Sequence, residues 1–460
     1  MNGPKRKQPK SACAREIAWN VLCKHEETSV FASDLLDDQF QTTLAEPGVR
    51  RLATQIALGT IRRQLTLDVI LSHHITRPRT NVEPELWNLL RVGAFQVIFM
   101  ATAPHAAVNE TVNVTHRNKK SHWSKFLNGV LRSILRSLTD ETTGRPAQNT
   151  IPIQRGSYRV YDNPLFPDPA EQSVTFLSQA FSYPEWLIDR WLSHRNPIEL
   201  TKLLFWFNAP PPLTLRINRL RSDRERYQQA LADQAIQSRP GQIESALTIV
   251  GQHPPIHEFP GYHEGHFCVQ DESAMAAAIL LHPKPGEMIL DLCAAPGTKT
   301  THLAELMDDS GRIIATDVDQ TRLDKISDSA SRLSLTCIEP QLIARDGSNI
   351  PSGPFDAILV DVPCTNTGVL SRRPEARWRL TPDDFDELGQ IQSQLLTAAC
   401  QRVKSGGRVV YSTCSIDPSE NQAIARNVCQ QLSNVAIETE QTHTPGQPAD
   451  GAYQALLRVS

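Results

Sequence analysis

The chain has no apolar run near the roughly 18 residues that suggest a membrane helix. Its basic start, MNGPKRKQPK, is not followed by an apolar signal core, so a secretory leader is not expected. Cysteine pairs at CxxC spacing are also missing. The nine cysteines, Cys13, Cys23, Cys268, Cys293, Cys337, Cys364, Cys400, Cys414 and Cys429, are odd in number and scattered. That argues against a zinc ribbon or a thioredoxin-type site, and no metal site is expected. A reducing, cytoplasmic setting is the simplest expectation, with most thiols acting as small buried hydrophobes.

What is present is the composition of a soluble globular protein, 40% hydrophobic and 21% charged. At 460 residues the length suggests about three domains. The net charge of −3 conceals an asymmetry. Residues 1–140 carry 19 Lys and Arg against 12 Asp and Glu, and the remainder 28 against 38. A basic first part on an acidic body points to an anionic partner, with nucleic acid the commonest choice. The extreme tail reads either as a solvated end or as a weak contact to RNA phosphates.

Residues 1–140 read as an all-helical bundle. Ile17, Ala18, Val21 and Leu22 share a helical face, as do Leu52, Ile56 and Gly59, and then Leu86, Leu89, Leu90 and Gly93. Asn128 and Gly129 suggest a helix start and a tight approach between helices. Residues 141–169, with Pro146, Pro152, Pro164, Pro167 and Pro169, read as a linker. Residues 170–265 read as a small α+β domain, in which Leu213, Leu215 and Ile217 alternate as in a strand.

From residue 266 to 460 strands alternate with helices. Met288–Leu292, 312–316, 357–360 and 408–411 are short apolar strands followed by Asp or Cys. This order predicts a parallel, doubly wound α/β sheet. Ligands of such sheets bind beyond the carboxyl ends of the strands, so Asp291, Asp317, Asp361 and Cys414 should converge on one crevice.

The turn DLCAAPGTKT after the first of these strands has small residues that allow close backbone approach to a ligand. It is neither a Walker A loop, since Leu292 stands where the first Gly is required, nor a GxGxxG fingerprint. Asp317 follows about 20 residues later, where a carboxylate accepts from ribose hydroxyls. The alternative for Asp317 is a helix cap. Together the features fit a nucleoside cofactor without a pyrophosphate, such as S-adenosylmethionine.

LDLCAAPGTKT resembles motif I of the RNA cytosine-C5 methyltransferases, the family of the RsmB/Sun-type rRNA enzymes and the eukaryotic Nop2/Sun proteins. Thr298 replaces the second Gly of the usual CAAPGGK, at a position expected to favour φ > 0. The resemblance implies that Cys293, Ala294, Ala295, Pro296, Gly297, Thr298 and Lys299 line the methionine part of S-adenosylmethionine. It implies that Asp317 binds the ribose and that Asp346 sits by the adenine. DVPC, ending at Cys364, and STCS, around Cys414, resemble motifs IV and VI. The resemblance makes Cys414 the nucleophile, Cys364 the cysteine of product release, and Asp361 a contact to both base and cofactor. The following TNTGVLSRRPEARWR matches at Pro374 and Trp378, with Thr365 and Asn366 in place of Ser-Gly. Arg372, Arg373 and Arg379 are expected to touch phosphates.

Cysteine chemistry makes sense of the pair. C5 of cytosine is a poor nucleophile until a thiolate adds to C6. The base must leave its stack to reach such a site, which favours an accessible RNA loop. PHAAVNETVNVTHRNKKSHWSKFLNGVLRSI, including Pro104, Val108, Asn109, Glu110, Val112, Val130 and Leu131, resembles the N-utilisation substance B (NusB) fold. PPPLTLRINRL and GHFCVQDESA resemble the region before motif I. The fold implied is a NusB-like bundle, a small α+β linking domain and a C-terminal Rossmann-like methyltransferase domain. The activity implied is 5-methylcytidine formation, with 16S rRNA as substrate and a monomer as the acting form. A transfer-RNA cytosine methyltransferase and a non-catalytic, antitermination-type RNA-binding protein are the rival readings. A DNA cytosine methyltransferase is disfavoured, because its nucleophile lies in a Pro-Cys motif and Cys414 would go unused.

Overall fold

The computed structural model describes residues 13–446 and 449–460. The basic tail expected to be solvated or to meet phosphates lies outside them. The chain divides into two compact units, the first running up to Pro210 and including Ser371–Arg379, the second comprising Pro211–Leu370 and Leu380–Ser460.

The first unit opens with the helices Ala14–Glu27, Ala32–Thr43, Pro47–Arg62, Gln64–His74, Pro84–Phe99, Pro104–Arg117 and Ser124–Ser137. Three of them start on proline, which tolerates the first turn because its missing N–H has no partner there anyway. Pro84–Phe99 is buried on all sides from Leu86 to Ile98 and forms the bundle centre. Close packing falls at Gly59 and Gly93. An added Cβ would collide with the Phe95 ring at the first and with Leu131 at the second. Gly129, expected at a close approach, has open space around it, and Asn128 lies inside a helix rather than at its start.

Residues 141–169 are not a linker. Strands β1 (Leu138–Thr143), β2 (Thr150–Gln154) and β3 (Ser157–Tyr161) form an antiparallel sheet in the order β1-β3-β2. Pro152 disguised β2, yet an edge strand tolerates a residue that cannot donate to a ladder. The region 170–265 is also divided. Its helices Ser173–Phe181, Glu185–Leu192 and Pro197–Asn208 belong to the first unit, where Phe181 and Phe205 meet edge to face at 4.9 Å and Tyr158 lies 5.4 Å from Phe205.

Segment Ser371–Arg379 also belongs to the first unit. Arg377 is buried, donates to the Asn208 side chain at 3.0 Å and stacks over Tyr183. Arg379 donates to the carbonyls of Ser29 and Val30 at 2.6 and 2.7 Å, and Arg373 lies over Phe31. Arg379 is thus held by carbonyls of its own unit, while Arg373 lies exposed over Phe31.

The second unit begins with β4 (Leu213–Ile217), β5 (Ser238–Pro240), β6 (Ala246–Ile249) and β7 (Phe267–Val269), an antiparallel sheet ordered β5-β6-β4-β7. Leu215, Ile217, Leu247 and Phe267 pack with Tyr227 and Leu231 of helix Arg224–Asp233. Seven further strands follow: β8 (Met288–Leu292), β9 (Arg312–Asp317), β10 (Ile338–Leu342), β11 (Phe355–Asp361), β12 (Val403–Thr413), β13 (Val435–His443) and β14 (Ala452–Val459). They form one sheet ordered β10-β9-β8-β11-β12-β14-β13. The first five in that order are parallel. The expected all-parallel sheet is corrected at one edge, where β14 runs antiparallel to both β12 and β13. The β14 sequence, AYQALLRV, is buried along nearly its whole length, as an interior strand must be. Apolar clusters cover both faces of the sheet. Strand order reverses between β8 and β11, and the crevice beyond that switch point is where such sheets take ligands.

Candidate active site

The turn after β8 fixes the first wall of that crevice. Cys293 has φ of 64° and Gly297 has φ of 97°. A Cβ on Gly297 would lie 3.1–3.2 Å from Ile326, so glycine is required for conformation and for space. Thr298 is the first residue of helix Thr298–Leu306 and does not have positive φ. The replacement of glycine there leaves the turn unstrained, which revises the expectation drawn from the family pattern.

Four carboxylates lie at or just after the ends of strands β8 to β11. Asp317 ends β9 almost fully buried, accepting from the Ala295 amide at 3.3 Å and the Asp319 amide at 3.2 Å. Arg322 bridges Asp317 and the Ala295 carbonyl. Asp346 lies on the exposed turn after β10, accepting from the Ser348 amide, and the strand reaches it past an Ile343 N–H that donates to the Asp317 carbonyl. Asp291 is fully buried on β8 and accepts from the Thr300 hydroxyl at 2.6 Å through Oδ2. Its Oδ1 has no hydrogen-bond partner among the described residues. Burial pushes this carboxyl up to about 7, against the Thr300 hydrogen bond, with Asp361 and Asp317 adding to the rise.

The fourth carboxylate, Asp361, ends β11. Lys299 Nζ lies 2.7 Å from its Oδ2, and the Ser412 hydroxyl donates to its Oδ1 at 3.0 Å. Burial opposes the Lys299 charge, but Asp361 more than offsets it, and the Lys299 pKa stands above its ordinary value.

Parallel pairing brings the cysteines together. Asp361 of β11 is opposite Ser412 of β12, so Cys364 and Cys414 follow two neighbouring strand ends. Their sulfurs are 3.2 Å apart. Backbone and side chain tie the two loops: the Gly368 N–H donates to the Cys414 carbonyl at 2.8 Å, and Thr367 meets Ser415 at 2.9 Å between hydroxyls. Gly368 has no room for a Cβ, with the Cys414 carbonyl oxygen 2.6 Å from that position. Buried Glu420 accepts from the Thr365 amide at 2.9 Å and from its hydroxyl at 2.5 Å, and Gln392 donates to the same carboxylate at 3.0 Å. Asn366, at φ of 59°, accepts from the Cys414 thiol at 3.3 Å and donates to the Cys364 carbonyl. Cys364 is buried, and its contact with Cys414, then burial and Glu420, raise its pKa well above the ordinary range. Cys293 is pushed up to about 12, chiefly by burial.

The crevice therefore joins a tight turn beside Asp291, Asp317 and Asp361 to a pair of touching thiols. The chain is 34% identical to the probable ribosomal RNA small subunit methyltransferase B of Synechocystis sp., over 97% of this chain and 95% of that one. It is 32% identical to the ribosomal RNA small subunit methyltransferase B of Salmonella paratyphi B, over 87% and 86% respectively. The chain belongs to the RsmB/F family of rRNA methyltransferases. It is an RNA methyltransferase. The family model described as 16S rRNA methyltransferase RsmB/F matches residues 278–458. The NusB family model matches residues 12–136, and the ferredoxin-like domain model of RsmF/B-type methyltransferases matches 183–255. The fold is shared with the crystal structure of PH0851, at a TM-score of 0.76 and 24% identity over 98% of this chain and all of that one. Among the described residues no helix is long and apolar enough to cross a membrane.

Several residues of this site escape a reading of the sequence. Asn366 stands out there only as a departure from Ser-Gly, yet it touches Cys414. Glu420 and Ser412 lie in ordinary polar stretches and acquire partners through the pairing of β11 with β12, and Arg322 acquires its partners through the helix after β9. The signal for Ser412 was its distance of two residues from Cys414, the same offset that sets it opposite Asp361.

Proposed function

We propose that this chain forms 5-methylcytidine in 16S rRNA, using S-adenosylmethionine and a covalent adduct between Cys414 and C6 of the cytosine. The observation that carries this reading is the 3.2 Å contact of the Cys364 and Cys414 sulfurs beside the Lys299–Asp361 pair. When bound, S-adenosylmethionine supplies a methyl group on a sulfonium.

The residues at the turn fit that cofactor. The partnerless Oδ1 of Asp291 is an acceptor in need of a donor, and an ammonium group provides one. Gly297 keeps the backbone open where a side chain would not fit. On this reading Cys293, Ala294, Ala295, Pro296, Gly297, Thr298 and Lys299 form the wall beside the methionine part. Asp317 accepts from the ribose, Asp346 borders the adenine, and Asp361 touches both cofactor and base.

The Cys414 thiolate donates its electron pair to C6, and the C5–C6 π pair becomes available at C5. Asp361, paired with Lys299 and oriented by Ser412, accepts a hydrogen bond from the exocyclic N4 amine of the ring. After C5 has taken the methyl group it gives up its proton to a solvent water acting as base, the C–H pair re-forms the C5–C6 double bond, the S–C6 bond breaks, and its electron pair returns to Cys414. Cys364, whose raised pKa keeps it a thiol at rest, serves this release step. All nine cysteines are free, which supports a reducing, cytoplasmic setting.

The test uses the purified full chain, tritium-labelled S-adenosylmethionine and unmodified small-subunit rRNA, beside Cys414→Ala and Cys364→Ala. Label in 5-methylcytidine for the unsubstituted protein, none for Cys414→Ala and a trapped protein–RNA adduct for Cys364→Ala are expected. Label on transfer RNA alone would overturn the substrate. Transfer to cytosine surviving in Cys414→Ala would overturn the mechanism.

A further inference from the structure

Arg216 lies on β4, in the small antiparallel sheet and not in the methyltransferase sheet, and is completely buried. Its guanidinium reaches helix Thr298–Leu306 and is satisfied almost wholly there. Nε and Nη2 donate to the two Glu305 oxygens at 3.0 and 2.7 Å. Nη2 also donates to the Thr301 hydroxyl at 3.0 Å, and Nη1 donates to the Thr298 carbonyl at 2.8 Å. The last partner is the Gln270 side chain, on the segment between β7 and helix Glu272–Leu281.

These contacts have a periodicity. Thr298, Thr301 and Glu305 occupy one face of the helix, three and four residues apart. Between them stand the two residues that reach into the crevice, Lys299 toward Asp361 and Thr300 toward Asp291. Thr298 is moreover the residue directly after Gly297, so a donor on its carbonyl grips the helix where the turn ends. A bidentate arginine–carboxylate pair is directional, and two further acceptors leave the helix one rotation and one axial position. A fully buried charge pair is weak evidence for stability alone, since well-packed apolar residues often serve as well or better.

We propose that Arg216 is a positioning residue for the cofactor turn: the small sheet, through Arg216, sets the helix that carries Lys299 and Thr300 and thereby the geometry in which the turn receives S-adenosylmethionine. This rests on the reading of that turn as the cofactor site. The small sheet then has a part in cofactor affinity, exerted through the Thr298 carbonyl and the helix that follows it.

The experiment measures binding of S-adenosylhomocysteine by calorimetry, together with thermal melting and single-turnover rates at saturating cofactor. The proteins are the full chain, Arg216→Lys, Thr301→Val, and the charge-balanced double variant Arg216→Met with Glu305→Gln. The double variant avoids leaving one buried charge alone, and Thr301→Val removes one acceptor at nearly constant volume. Expected are a Kd raised about tenfold or more in the double variant, about threefold in Thr301→Val and an intermediate rise in Arg216→Lys, with a single-turnover rate that falls in the same order, because the same helix carries Lys299 to Asp361. A melting temperature that falls while Kd stays at the parent value would overturn the inference and leave Arg216 a stability residue. Should the double variant not fold, an unchanged Kd in Thr301→Val and Arg216→Lys has the same force. Failure of the unsubstituted chain to bind S-adenosylhomocysteine would instead remove the cofactor reading, and this inference with it.

Discussion

Lys299 Nζ sits 2.7 Å from Asp361 Oδ2, joining the first turn of the helix after β8 to the end of β11 across the point where strand order reverses. The contact is a charge-assisted hydrogen bond in a mostly buried setting, with side-chain exposures of 15% and 31%. It aims the carboxylate, and the Ser412 hydroxyl fixes its other oxygen. Removing a positioned acid–base or hydrogen-bonding group from a reacting site costs about 10²–10⁴-fold in rate. Asp361→Asn is expected to lower the single-turnover rate about 100-fold or more, and Lys299→Met by a similar factor. The double variant should be little worse than either single one, because the two act as a unit. Additive losses in the double variant, read as single-turnover rates at saturating cofactor, would show the pair to be incidental.

Asp291 gives the ligand-free protein a pH dependence of unusual sign. Its carboxyl is raised from 3.8 to about 7, chiefly by burial. The folded state therefore binds this proton more tightly than the unfolded state does. The resulting stabilisation is complete below the unfolded value and is lost as pH rises through about 7. Over that window the change is on the order of 4 kcal/mol, using about 1.4 kcal/mol per pKa unit. Asp291→Asn keeps an acceptor for Thr300 and has nothing to titrate. The melting temperature of the parent, taken relative to Asp291→Asn, should fall between about pH 4 and pH 8. Parallel melting curves at every pH would sink the claim.

Much of this site is legible in the sequence, and the reason is local. Motif residues such as Asp291, Asp317, Asp361 and Cys414 follow short apolar strands, and a doubly wound sheet gathers strand ends. The helical stripes around Ile17, Ile56 and Leu89 were equally plain, because burial on a helix repeats with its own period. Illegible features depend on pairing between distant segments. β14 runs backwards between β12 and β13, and no residue in AYQALLRV announces direction. β2 hides behind Pro152, which reads as a breaker unless the strand is known to be an edge. Arg373 and Arg379 read as a basic loop, and only tertiary structure shows the Phe31 ring and the carbonyls that engage them.

Gly297 and Thr298 separate two requirements that the family pattern merges. Gly297 needs positive φ and lacks room for a Cβ, whereas Thr298 is already helical. Gly297→Ala should cost about 1–2 kcal/mol from the backbone alone. It should lower the melting temperature by a few degrees and weaken S-adenosylhomocysteine binding. Thr298→Gly, which restores the usual sequence, should give no tighter binding and cost up to about 1 kcal/mol, because glycine disfavours the helix start less than its interior but still more than most residues. Tighter binding by Thr298→Gly in a calorimeter would show that this position limits the turn after all.

The three thiols of the crevice are chemically unequal, and alkylation can rank them. Cys293 is pushed up to about 12 by burial and nearby carboxylates, so almost none of it is thiolate at pH 8. Cys364 is buried and raised further from the ordinary range by its contact with Cys414 and by Glu420. Cys414 is half-buried and open to a small reagent. Iodoacetamide at pH 8, followed by peptide mass spectrometry over a time course, should therefore mark Cys414 first among these three. Once Cys414 carries an amide group, its sulfur can no longer hydrogen-bond as a thiol to Asn366, and methyl transfer should stop in proportion to its labelling. Removing the buried charge with Glu420→Gln lowers the Cys364 pKa, and the labelling rate of Cys364 should rise several-fold relative to Cys414. Labelling of Cys364 ahead of Cys414 in the unsubstituted protein would reverse the roles assigned to the pair.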